Sequence, residues 1–183
     1  LGTLYFANVL GPGPLGTFAL GITLVKWLEL TDFGTGGAMS KRISEMEEEG
    51  AYLTASIIFR AVLVAVPTLA LLLFRDRVTT YVGGDFAVLV AAMFALTSMY
   101  TFAARGLLGV NQAHVKNVSD TIERILRVLF QAGLVLAGLS ALALYWGYLV
   151  SILLGTLLAI AFLYRTGIRP ARPERRHFRS LYD

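Results

Sequence analysis

From Val128 to Tyr164 the chain runs without one charged residue. A single helix of that length would measure about 55 Å at roughly 1.5 Å per residue, nearly twice the ~30 Å hydrocarbon core of a bilayer. The stretch must therefore fold back once into two antiparallel helices. The expected corner is Leu144-Tyr145-Trp146-Gly147-Tyr148, where aromatic residues suited to the membrane interface flank a glycine that can end a helix. Composition agrees: 56% of the 183 residues are hydrophobic, 15% are charged and the mean hydropathy is +0.67, against about 25% charged for a soluble domain. The chain reads as an all-α integral membrane protein.

Other runs of bilayer length follow from the same rule. Residues 86–105 are uncharged as far as Ala104, and 50–74 carry only Arg60, so each is a span. Residues 17–41 form another, approached from the helix-stopping turn Gly11-Pro12-Gly13-Pro14. The last pair is placed at 120–143 and 147–165. Residues 1–10 are apolar but only half long enough, so they read as a partial first helix. Residues 166–183, basic and carrying Pro170 and Pro173, read as a cytoplasmic linker. The expected architecture is a six-helix lobe with its first helix truncated.

Lys and Arg in short loops set orientation. Lys41, Arg42, Arg105, Lys116 and the arginines from Arg165 to Arg179 fall on one side, and only Arg75 and Arg77 on the other. The first side is expected to be cytoplasmic, with both ends of the chain there, in the cell membrane. The net charge of +4 is thus a topology signal, and its scatter gives no groove-facing basic stripe for nucleic acid.

The absence of Cys excludes thiolate zinc sites, disulfides and a cysteine nucleophile. His114 falls in a loop and His177 in the basic tail, so no metal cluster can be assembled and no cofactor is expected. Ser98 and Ser151 lie at membrane depth without a His or Lys pattern beside them. An enzyme is not expected.

Ionisable groups within spans cost several kcal/mol unless they face a cavity or a partner. Lys26, Glu29 and Asp32 share one broad helix face, and Arg60 should lie at similar depth with Glu29 or Asp32 as its partner. These groups either neutralise one another to pin two helices, or Lys26 and Arg60 hold an anionic phosphate while Glu29 or Asp32 balances charge or exchanges a proton or cation. Arg124 and Arg127 follow Asp120 and Glu123 at i,i+4 spacing, either as plain interfacial pairs below a capping box or as a basic lining for a lipid head group. Gly34, Gly36 and Gly37 permit close helix packing or an opened helix that presents backbone dipoles. Pro67 is a packing kink or a hinge. The run from Glu45 to Glu49 reads as a solvated helix end.

Gly11-Pro12-Gly13-Pro14-Leu15-Gly16 leading through Asp32-Phe33-Gly34 to Ser40-Lys41-Arg42-Ile43-Ser44-Glu45 resembles the second helix of polysaccharide exporters. These are the O-antigen and teichoic-acid type flippases of the multidrug/oligosaccharidyl-lipid/polysaccharide, or MATE-like, superfamily. Arg105-Gly106-Leu107-Leu108-Gly109 resembles the connection between that family's fourth and fifth helices. The resemblance implies the first lobe of a two-lobed transporter that moves a lipid-linked oligosaccharide from the cytoplasmic to the outer leaflet by alternating access. It implies membrane lipids and the lipid-linked glycan as partners, with glycan-assembly enzymes as further ones. Lys26 and Glu29 depart from the apolar residues expected before the Asp-x-Gly motif, so their roles rest on the intramembrane charge argument alone. A cation-coupled multidrug exporter of the same fold, a peptidoglycan-precursor flippase and a non-transporting scaffold of glycan assembly are the alternatives.

Overall fold

A computed structural model describes residues 2–30, 35–44, 49–169, 171–174 and 177. They form the helices α1 (Gly2–Leu10), α2 (Pro12–Glu29), α3 (Thr35–Ser44), α4 (Glu49–Leu73), α5 (Arg75–Val82), α6 (Ala87–Gly109), α7 (Ala113–Leu136) and α8 (Ala141–Arg165). Three of these, over Gly50–Leu73, Ala87–Gly109 and Ala141–Arg165, are long and apolar enough to cross a membrane. No strand occurs among the described residues.

The exposure pattern is that of a chain solvated by lipid. Large apolar side chains stand exposed along α4 (Val62, Val66, Leu69, Leu73), α7 (Ile125, Leu129, Leu136) and α8 (Leu153, Leu157, Ile160), whereas Ser98, Ser119, Glu123, Gln131 and Ser151 are buried. In water such a distribution would expose far more contiguous apolar surface than a soluble monomer tolerates. In a bilayer it is the expected arrangement.

Two close approaches hold the bundle's centre. Helices α7 and α8 run antiparallel, and Gly147 sits where α8 crosses α7: a Cβ there would lie 2.7 Å from the backbone nitrogen of Gln131. Gln131 Nε2 in turn donates to the Leu144 carbonyl at 2.9 Å. Tyr145 is fully buried, stacks on Phe86, and donates its hydroxyl to the Thr17 carbonyl on α2 at 2.8 Å. Around it Val25, Val90, Met93, Phe94, Tyr148 and Ile152 make the largest apolar core.

Those contacts correct the expected corner. Leu144 to Tyr148 lie inside α8, and the chain turns instead at residues 137–140. Gly138 has φ +87° there, a conformation glycine takes at little cost and other residues do not. Gly147 is needed for a close crossing, and the aromatic residues beside it face the interior, with only Trp146 half exposed.

Other boundaries move for related reasons. The span expected at 17–41 is carried by two helices, α2 and α3, with 31–34 outside the described residues. Helix α2 starts at Pro12, with the prolines in its first turn where their missing N–H costs nothing. Helix α7 begins at Ala113, so Asp120 and Glu123 are interior residues and no capping box forms; its N-cap is Gln112. The short helix α5, ended by Gly83 at φ +84°, was not expected in the loop that follows Phe74. Pro67 falls inside α4, which continues to Leu73.

The tail read as a linker is packed where it is described. Ile168 joins the core formed by Ile43, Leu53, Leu107 and Leu163. Beyond it the Ala171 N–H donates to the Gly50 carbonyl at 3.1 Å, and the His177 ring meets Tyr52 edge-on with centroids 4.8 Å apart.

Candidate functional site

Helices α2, α3, α6, α7 and α8 line an open cavity of about 910 Å³. Six cationic side chains line it: Lys26 from α2, Lys41 from α3, Arg105 from α6, and Lys116, Arg124 and Arg127 from α7. Two carboxylates, Asp120 and Glu123, oppose them. Charges of one sign enclosed by low-dielectric walls focus their field on whatever enters.

Three of the cations are compensated. Lys26 Nζ lies 2.9 Å from Glu29 Oε2 one turn on along α2, and Lys116 Nζ lies 2.7 Å from Asp120 Oδ2. The Tyr100 hydroxyl donates to the other oxygen of Asp120. Arg127 grips Glu123 with Nη2 at 2.6 Å and Nε at 3.0 Å, and its guanidinium lies 4.4 Å from the centre of the Tyr148 ring. Glu123 is buried because Gly155 makes room for it: a Cβ on that glycine would lie 2.9 Å from Glu123 Cγ. Ser151 Oγ is a further donor at 3.2 Å from Glu123 Oε1.

Lys41, Arg105 and Arg124 have no ion-pair partner among the described residues. All three line the same cavity. Lys41 and Arg124 are exposed and Arg105 is half-buried, and accessible guanidinium and ammonium groups converging on one cleft are complementary to phosphate or carboxylate oxygens.

Among the residues singled out from sequence, Lys26, Arg124 and Arg127 are brought together in this cavity, and Gly37 lines it. Glu29 reaches it through its pair with Lys26. The expected Asp120–Arg124 pair gives way to Lys116–Asp120, whereas Glu123–Arg127 forms as spaced.

Arg60 is the main departure. It is buried on another side of α6, where Nη2 donates to the Ser98 carbonyl at 2.7 Å and the guanidinium lies 5.8 Å from the Phe102 ring. It lines a separate apolar groove between α4, α6 and α8 and not the cavity that holds Lys26. Asp32 and Gly34 lie outside the described residues, and Gly36 lies in the first turn of α3.

From sequence, Lys41, Arg105 and Lys116 read as topology markers, the first two at the ends of expected spans and Lys116 in a loop. A signal for two of them was present. Lys116, Asp120, Glu123 and Arg127 recur at helical spacing with Gln131 beyond them, a polar stripe on one face of α7. Arg105 is the only charged residue of α6, the last residue of the span expected at 86–105, and it lines the cavity wall.

The fold and cavity together define a polytopic α-helical membrane protein with a cationic internal site. Its family is shown by comparison: the chain belongs to the polysaccharide biosynthesis protein family, which matches residues 1–182. It is 32% identical over 185 residues to the probable low-salt glycan biosynthesis flippase Agl15 of Haloferax volcanii, covering 100% of this chain and 38% of that relative. It is 30% identical over 183 residues to the probable flippase AglR of the same organism, with 99% and 38% covered. The chain therefore spans well under half the length of these relatives. No solved structure matches it.

Proposed function

We propose that this chain forms one lobe of a flippase that carries a lipid-linked glycan precursor from the cytoplasmic to the outer leaflet. The observation that carries the reading is the cavity of about 910 Å³ in which Lys41, Arg105 and Arg124 converge, none of them in an ion pair among the described residues. Lys41 and Arg124 are exposed and Arg105 is half-buried, so all three are cationic groups that an anion entering the cleft can reach. The phosphate that joins a glycan to its lipid is such an anion. The two relatives described as flippases support the same reading.

In this mechanism the three uncompensated cations hold the phosphate oxygens. Arg127, fixed by Glu123 and Tyr148, and Lys26, held by Glu29, complete the lining. The Lys and Arg bias places the loop between α6 and α7 on the cytoplasmic side, so the cavity loads from the cytoplasm. A second lobe closing over it would complete alternating access. Pro67 serves as a hinge in α4, and the packed tail after α8 leads toward that lobe.

The test is translocation of a fluorescent polyprenyl-phosphate hexose in proteoliposomes containing the full native polypeptide. The variant Lys41→Gln/Arg105→Gln/Arg124→Gln is expected to lower the rate at least about tenfold, the loss of even one charge-assisted contact being worth roughly that factor. An unchanged rate at equal protein abundance overturns the assignment.

A further inference from the structure

Beside the cationic cavity, on the far side of Lys26, lies a second cleft of about 420 Å³. It shares Lys26, Thr101 and Arg105 with the cavity and adds Thr23, Trp27 and Glu29. We propose that this cleft is a carbohydrate subsite that holds a sugar ring against the Trp27 indole. The proposal rests on the flippase reading above and extends it from the phosphate to the glycan.

The chemistry of the walls selects a sugar. Trp27 is 67% exposed, and tryptophan offers the largest flat apolar surface any side chain can present to a ring. An indole turned only toward lipid tails or the interfacial belt needs no charged wall beside it. Here the same cleft contains the Lys26–Glu29 ion pair and the Arg105 guanidinium, which has no ion-pair partner among the described residues. An apolar platform ringed by hydrogen-bonding groups is complementary to a pyranose, which has one apolar face and a rim of hydroxyls.

The hydrogen-bonding groups are present in both senses. Thr23 Oγ1 donates to the Ala19 carbonyl at 2.8 Å and Thr101 Oγ1 donates to the Thr97 carbonyl at 2.9 Å. Each hydroxyl has thus committed its hydrogen and offers lone pairs to a sugar O–H. Arg105 supplies donors. Lys26 donates to Glu29 Oε2 at 2.9 Å and keeps further N–H donors for the sugar. Arg105 belongs to both clefts, so a phosphate bound on its cavity side would place the attached sugar on the Trp27 side. The volume suits one or two rings, within the range of small-ligand sites.

The test compares two fluorescent probes in proteoliposomes of the full native polypeptide: a polyprenyl-phosphate hexose and the same polyprenyl phosphate without sugar. Trp27→Leu keeps apolar bulk and removes the ring face, so it is expected to slow the glycosylated probe about tenfold and leave the sugar-free probe unchanged. Trp27→Phe should retain the glycosylated rate within about threefold, because a smaller ring face remains. If Trp27→Leu slows both probes in parallel, or neither, the subsite is overturned and the flippase reading stands. If the wild type moves neither probe, the flippase reading falls and takes the subsite with it.

Discussion

Glu123 and Arg127 form a bidentate pair one turn apart on α7, and the two ends of that pair face different surroundings. The carboxylate side chain is 3% exposed and the guanidinium 32% exposed. Glu123 is thus the buried anchor and Arg127 the group presented to the cavity. Removing the cation leaves a carboxylate in a low-dielectric site without its counter-charge, which costs about 3–5 kcal/mol for fully buried pairs. Partial exposure of Arg127 lowers that to about 2 kcal/mol.

Arg127→Gln alone is therefore expected to destabilise the protein by about 2 kcal/mol, while Glu123→Gln/Arg127→Gln recovers more than half of the loss because no charge is left stranded. Unfolding in mixed micelles measures both. Additive losses would show that the pair is not coupled. Translocation should stay low in the double variant even where stability returns, since the cavity has lost a cation.

Lys41, Arg105 and Arg124 should behave in the opposite way. They make no ion pair among the described residues, so single Gln substitutions are expected to change stability by less than about 0.5 kcal/mol. Their effect should fall on ligand binding. Affinity for a polyprenyl phosphate in vesicles of neutral lipid should drop with each substitution and weaken further with added salt, as expected for incompletely buried charges. A stability loss without a binding loss would place these residues in the scaffold.

Arg60→Gln separates two readings of the intramembrane charges. Its guanidinium caps the Ser98 carbonyl on α6 away from the cavity, so substitution should lower stability by roughly 1–3 kcal/mol through the lost charge-assisted hydrogen bond. Affinity for the sugar-free polyprenyl phosphate should be unchanged. A selective loss of affinity at normal stability would return Arg60 to the binding site.

How far the sequence reveals this arrangement depends on the scale of the signal. Runs of apolar residues are set by bilayer thickness, so α4, α6 and α8 are legible from length alone. The α7–α8 corner is not, because Gly138 and Gly147 look alike in a sequence: one takes φ +87° and the other admits the backbone of Gln131. Charges within one turn, such as Lys26–Glu29 and Glu123–Arg127, are legible from spacing. Which side of α6 Arg60 would occupy depends on helix packing that no local pattern encodes. The cavity itself is not legible, because Lys41 and Arg105, at the ends of expected spans, and Lys116, read as a loop charge, reach one wall only through the packing of α3, α6 and α7.

The glycines give that distinction an energetic test. Gly147→Ala forces a Cβ to within 2.7 Å of the Gln131 nitrogen, so it is expected to cost about 2 kcal/mol or more by separating α7 from α8. Gly138→Ala strains only the turn and should cost about 1–2 kcal/mol. Gly133 is a control within α7, with open space around it; Ala there should stabilise by about 0.5–1 kcal/mol. Equal costs at all three positions would refute the assigned crossing.

The tail packed on α4 rests on one small residue. A Cβ at Gly50 would fall 2.1 Å from the Arg169 carbonyl oxygen, and the Gly50 carbonyl accepts the Ala171 N–H at 3.1 Å. Backbone cannot yield as a flexible side chain can, so Gly50→Ala should displace the segment from Arg169 onward while leaving α4 helical. Amide hydrogen exchange reads this directly. Ala171 should exchange at least about tenfold faster in the variant, since each tenfold corresponds to about 1.4 kcal/mol of lost protection, whereas the amides of α8 should be unaffected. If Ala171 exchanges at the same rate in both proteins, the contact with Gly50 does not hold the tail. If α8 amides accelerate with it, the tail and the last helix open as one cooperative unit, and its packing is part of the bundle's own stability.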